Sequence, residues 1–180
     1  MNITNDAQMS VILNDIAHDV AVAVADKLYQ TNRDEIDAIV YKGYICPDPN
    51  DPNRYKRSES GSFKDAWETK VSKGTAELNY APEKMVLDEE NYVHGSSESG
   101  DIRTELATII YEGIGSGSYH KFGYGTYSEP RDAFRELIKR CNQSLDKWIV
   151  DEFVKHGFSR KDIKYVIGGK AWGVSIDGTD

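Results

Sequence analysis

Between Trp67 and Tyr80 the side chains alternate between apolar or threonine and polar, and few structures accommodate that pattern. Trp67 to Val71 and Ala76 to Tyr80 each carry the two-residue period of a half-buried strand. Lys73-Gly74 supplies the turn between them. A loop of these two residues sets Val71 opposite Ala76, Lys70 opposite Glu77, Thr69 opposite Leu78, and Trp67 opposite Tyr80. One face then holds Trp67, Thr69, Val71, Ala76, Leu78 and Tyr80, and the other an opposite-charge pair. A slip of one residue would expose the aromatic pair, so the register is well specified. Ser60 to Ala66 reads as a short helical turn leading in. An isolated hairpin is marginal in water, so the Trp67–Tyr80 face needs a cover, and the long helix starting at Pro130 is the expected one.

The rest of the chain supplies helices. Asn5 is placed to cap a first helix, with Gln8 three residues on and an apolar stripe of Leu13, Ile16, Val20, Val24 and Leu28, flanked by Ala17 and Ala21. Thr31 followed by Asp34 looks like a new helix start carrying Ile36, Ile39 and Val40, so the segment is either one bent helix or two. Pro47, Pro49 and Pro52 make 44–60 a loop. Residues 88–101 are an acidic loop rich in Gly and Ser, and Asp101 can cap a helix with Leu106, Ile109 and Ile110 on its apolar face. Ser128 and Pro130 open the last helix, whose apolar stripe includes Phe134, Leu137, Cys141, Leu145, Trp148 and Phe153 up to Gly157. That span is about 27 residues, or roughly 40 Å. The expected fold is α+β: a small, mainly antiparallel sheet (hairpin 67–80) packed by an N-terminal helix and a long C-terminal helix. Trp67, Tyr80, Phe134, Leu137 and Trp148 are its candidate structural core. Residues 1–157 form a single domain with a loop insertion at 44–60, and 158–180 are a C-terminal extension, a possible hairpin or assembly tail.

Charge and cysteine usage narrow the function classes. At 180 residues with a net charge of −8, the chain lacks the basic surface that duplex-binding proteins use to neutralise phosphates. Cys46 and Cys141 form no CxxC pair, which suits a reducing compartment. The first ten residues show no signal-peptide pattern, and the longest apolar run, Val20 to Ala25, is too short to span a bilayer.

Catalytic patterns are weak. Five of the 15 glycines fall between Gly113 and Gly125, including Gly113-x-Gly115-x-Gly117. A phosphate loop follows a strand and opens a helix, whereas here a helix precedes the glycines, so a flexible loop is the expected reading. Asp88, Glu89, Glu90 and His94 match no cation-binding spacing and read as a solvated acidic loop. Cys141 lies on an apolar stripe and reads as core. His18, His120 and His156 have no nucleophile-and-carboxylate arrangement that the sequence supports, and His156 reads as a helix end. Neither a catalytic constellation, a metal nor a cofactor is expected. Tyr119, Phe122, Tyr124 and Tyr127 sit in the glycine loop rather than on a periodic stripe. They either fold back onto the sheet or, with Trp172 of the tail, anchor a protein–protein interface.

The order of these motifs carries a resemblance. Tyr55-Lys-Arg, Ser60-Gly-Ser-Phe-Lys-Asp-Ala-Trp67, the hairpin, Tyr80-Ala-Pro-Glu-Lys-Met85, His94-Gly95, Leu106-Ala-Thr-Ile-Ile-Tyr-Glu-Gly113 and Pro130-Arg131 follow one another ahead of the last helix. Over residues 8 to 156 the chain resembles the tail-completion and head–tail joining family of long-tailed bacteriophages, which includes the minor tail proteins called Z. The resemblance implies a non-enzymatic virion protein of the neck, made in the bacterial cytoplasm. It also implies a homo-oligomeric, hexameric ring between the connector and the tail tube or its terminator, with DNA passing through unbound and no membrane partner. The long 47–52 loop and the tail after Gly157 depart from the family pattern. A tail terminator capping the tube is a near alternative. An alternative of another class is a small phosphate- or metal-dependent enzyme using Gly113–Gly125, for which nucleotide or Mn²⁺ would raise the melting temperature.

Overall fold

The computed structural model describes residues 6–42, 63–72, 74–85, 102–112, 130–161 and 163. Helix α1 spans Asp6–Glu35 and widens into a π-helical segment, Ile36–Tyr41. A 3₁₀ turn, Phe63–Asp65, leads into strand β1, Trp67–Ser72, which pairs with β2, Thr75–Tyr80. A second 3₁₀ turn, Pro82–Lys84, follows; helix α2 is Ile102–Glu112 and helix α3 is Ala133–Lys155. Among the described residues the architecture is α+β, with a two-stranded antiparallel sheet and a long helix before and after it in sequence.

The hairpin has the register that its side-chain period dictates. Trp67 pairs with Tyr80, Thr69 with Leu78, Lys70 with Glu77 and Val71 with Ala76, and Ser72–Thr75 closes the ladder. Gly74 takes the left-handed backbone of the turn at φ +77°, a conformation that costs a residue with a Cβ. Its neighbour is Ala17 of α1, whose Cβ stands 3.7 Å from the position of an added methyl, so a small residue on each side lets the turn lie close to the helix. The expected ion pair across the strands is replaced by one along a strand. Lys70 Nζ lies 3.1 Å from Glu68, and Lys84 reaches the same carboxylate at 2.9 Å. These contacts, that to Lys84 first, hold the Glu68 carboxyl below the usual carboxylate range.

α1 is one helix rather than two. Thr31 does not start a new one: its hydroxyl donates to the Lys27 carbonyl at 2.7 Å, which keeps the residue inside the helical ladder. The helix changes pitch only after Glu35, where Lys42 N–H bonds the Asp37 carbonyl and the wider turn buries both Ile36 and Val40. Asn5 lies outside the described residues. Along the expected stripe Val20 and Val24 are buried, but Leu13 is 44% exposed because the apolar cluster ends near Ile16.

α3 starts later than the Ser128-Pro130 signal. Asp132 is the N-cap, its carboxylate accepting from Arg135 N–H at 2.8 Å, and the helix has 23 residues. Ser128 lies outside the described residues. Arg131 N–H bonds the Ile110 carbonyl, which ties the start of α3 to the last turn of α2. The far end closes in a Schellman arrangement: Gly157 is left-handed at φ +91°, Phe158 N–H bonds the Phe153 carbonyl, and the two rings meet edge to face.

The hairpin's cover also differs from the expected one. α1 runs along both strands, and the cluster around Trp67 draws Leu106, Ala107, Ile110 and Tyr111 from α2, Ile36 and Val40 from the π segment, and Ala133, Leu137 and the partly buried Phe134 and Cys141 from α3. The reason is the length of α1, about 45 Å for 30 residues, which carries it past the hairpin and along α3. α1 and α3 are antiparallel. Lys27 pairs with Glu152 at 2.6 Å, and further along α1 Glu35 pairs with Arg140, nearer the start of α3. A second cluster of Val20, Val24 and Leu145, with Ile16, Trp148 and Phe153 against it, fills the space between the two helices.

Candidate functional site

The aromatic residues around the hairpin form one connected group of ring contacts. Trp67 is 2% exposed, with ring centroids of Tyr80, Phe63 and Tyr111 at 5.2, 5.9 and 6.2 Å. Tyr111 in turn stacks on Phe134 at 6.0 Å. The alternation places Trp67 and Tyr80 inward from the sheet, the 3₁₀ turn aims Phe63 at them, and the last turn of α2 delivers Tyr111. Tyr80 remains half-buried because its hydroxyl reaches out to donate to the Arg103 carbonyl at 2.5 Å. Burial pushes the Tyr111 hydroxyl well above its ordinary pKa, so it is a neutral phenol at every physiological pH. Leu137 is buried beneath this group, and Trp148 is half-buried in the second cluster.

Polar contacts brace the lead-in to the hairpin. Arg33 pairs with Asp65 and lies over the Tyr29 ring at 5.6 Å, and Lys64 reaches Asp37 at 3.3 Å. Arg131 donates to the Val40 carbonyl of the π segment at 3.3 Å. None of these groups points into a shared cleft; each links two elements. On α3, Glu152 is buried between Lys27 at 2.6 Å and Lys155 at 2.7 Å. Hydrogen bonds from Lys155 and then Lys27 hold its carboxyl below the usual range. Glu35 meets the Arg140 guanidinium as an ion pair without hydrogen-bond alignment. Asn32 is fully enclosed beside it, and neither its amide nitrogen nor its oxygen meets a partner among the described residues.

Chemistry-bearing residues are dispersed. Cys141 packs against the main cluster, where burial pushes its thiol up to about 11. His18 is exposed on α1, and His156 caps α3 through its backbone N–H. Among the described residues no group of three or more His, Cys, Asp or Glu side chains is placed to hold a metal ion. No described helix is long and apolar enough to cross a membrane. The candidate interface residues Tyr119, Phe122, Tyr124, Tyr127 and Trp172 lie outside the described residues, as do Asp88, Glu89, Glu90, His94 and the Gly113–Gly125 run.

Two outward helix faces escaped the sequence reading. On α1, Val11 is 60% and Val22 41% exposed, in rows four residues apart with Asp15, Asp19 and Asp26. On α3, Arg135, Lys139, Gln143 and Lys147 recur every fourth residue, all exposed. Their signal in the sequence is the run of charged residues off each apolar stripe, which periodicity alone does not tell from ordinary solvated surface. Compared with protein-family models, with curated proteins and with solved structures, the chain matches none of them.

Proposed function

We propose that this chain is a non-enzymatic structural protein of the neck of a long-tailed bacteriophage, forming a homo-oligomeric ring that completes the tail and joins it to the head connector. The motif order from Tyr55 to Pro130 motivates the reading. The observation that carries it furthest is the outer part of α1, where Met9, Val11, Leu13 and Val22 are all more than 40% exposed on a helix longer than its own core requires. Large apolar side chains held rigidly in solvent favour an interface. A ring subunit must present two different surfaces, because heterologous contacts close into a cycle. The net charge of −8, facing a lumen, would let DNA slide rather than bind.

The test is assembly and joining. Size-exclusion chromatography with light scattering, on the protein alone and then with purified tails or heads, is expected to give rings and restored head–tail joining. A chain that neither forms rings nor restores joining overturns the reading.

A further inference from the structure

We propose that the outward face of α1 docks on the outward face of α3 in a second copy of this chain. The proposal rests on the ring reading and names the surfaces that would make the ring. Two features of the faces support it, and neither depends on motif resemblance.

The first is sign. Asp15, Asp19, Asp26 and Asp34 are exposed on α1, and none of them pairs with a basic group among the described residues. The basic groups of α1 are engaged elsewhere, Lys27 with Glu152 and Arg33 with Asp65. The outward side of α3 has a basic row, Arg135, Lys139 and Lys147, with two acids beside it, Asp146, exposed next to Lys147, and Glu136, 3.0 Å from Lys139, which leaves it a basic excess. Charged faces of opposite sign steer two copies together and disfavour like-to-like docking.

The second is shape. Val22, Asp26, Gln30 and Asp34 are exposed at four-residue steps on α1, as are Arg135, Lys139, Gln143 and Lys147 on α3. Rows at that spacing are the ridges that interdigitate when two helices cross at about −50°. The rows have equal length, about 18 Å each at 1.5 Å per residue. Val22, 41% exposed, opens the α1 row, and Val11 extends the apolar surface towards the N-terminus. Within one chain the two faces cannot meet. α1 and α3 pack on each other through Val20, Val24 and Leu145, so their outer rows look in opposite directions. Each copy therefore offers one acidic face and one with a basic excess, and the contact is head-to-tail.

Charge exchange tests this in the full-length chain. Sedimentation velocity is run on the wild type, on Asp19→Lys/Asp26→Lys, on Lys139→Glu/Lys147→Glu, and on the fourfold variant. Both pair variants are expected to associate at least about tenfold more weakly than the wild type, with unchanged melting temperatures because all four positions are exposed. The fourfold variant, with both faces exchanged, is expected to associate like the wild type, and so is an equimolar mixture of the two pair variants. Should a reversed variant not fold, Asp→Asn and Lys→Gln pair variants at the same positions are expected to weaken association, and their fourfold combination, with no charges left to re-pair, to associate no better than either pair. Pair variants that associate like the wild type overturn the contact and leave the ring reading standing. A fourfold variant without recovery overturns it as well. A wild type that stays monomeric also overturns it, and head–tail joining then judges the ring reading separately.

Discussion

Replacing Trp67 by alanine tests whether the hairpin's inner face is buried within one subunit. The side chain is 2% exposed and touches three aromatic rings. Truncating a buried Trp to Ala costs about 3–5 kcal/mol, a range that already contains the ring contacts at about 0.5–1.5 kcal/mol each. One contribution opposes this. The indole N–H meets no acceptor among the described residues, and an unsatisfied buried donor costs about 1–3 kcal/mol, which the truncation relieves. The expected net cost is therefore at the low end, about 3 kcal/mol. Trp67→Phe keeps an aromatic ring against Tyr80 and Tyr111 while removing the N–H, and is expected to cost about 1 kcal/mol or less. Urea unfolding followed by far-UV circular dichroism measures both. With a slope of about 1–3 kcal/mol/M, the alanine variant shifts the midpoint down by about 1–3 M. A cost below about 1 kcal/mol for Trp67→Ala would refute the burial argument and place the cover on a neighbouring subunit. A phenylalanine variant as damaged as the alanine one would refute the argument from the N–H.

Three further outcomes follow from the same geometry. Glu152→Gln is expected to cost about 1–2 kcal/mol at neutral pH, since a charged hydrogen bond is lost but both lysines are partly exposed. Because the folded carboxyl has the lower pKa, that stability is complete above the unfolded value near 4.5 and disappears as pH falls through the folded one, so melting temperatures of wild type and variant should converge as the medium is acidified. Asn32→Leu removes two unpartnered polar atoms from a fully buried site and is expected to leave stability unchanged or raise it; a loss above about 2 kcal/mol by urea unfolding would mean that the amide is satisfied. In a Cys46→Ser background, Cys141, with its thiol pushed up to about 11, is expected to react with iodoacetamide far more slowly at pH 8 folded than in denaturant; equal rates would contradict its burial.

The hairpin was legible because its information is local. Period-two alternation and a two-residue turn determine every cross-strand partner, and each pair from Trp67–Tyr80 to Val71–Ala76 stands where the spacing puts it. Helix limits were less legible because capping residues compete. Thr31 and Asp34 imitate a helix start, yet Thr31 bonds back to Lys27, while at α3 Asp132 outcompetes Ser128-Pro130. The pairs that align α1 with α3, Lys27–Glu152 and Glu35–Arg140, leave no mark on periodicity, because each charge looks like any other polar residue on its own helix. Of the candidate site, the five proposed interface aromatics lie outside the described residues, and the two outward charged faces became visible only once both helices had a buried side.

The two apolar clusters strung along α1 give the molecule unequal halves. One cluster gathers residues from both long helices, the hairpin and α2; the other contains only α1 and α3. Opening the second requires α3 beyond Cys141 to peel away with the Glu152 ion pairs, while the hairpin, Tyr111 and the first turns of α3 stay in place. Such sub-global opening costs less than unfolding the whole chain. Native-state hydrogen exchange should accordingly release the amides of 145–155 as a unit, ahead of those in β1 and β2. α1 then keeps the hairpin along one side, with Ala17 still against Gly74, while its Ile16–Val20–Val24 side is bared to take another partner.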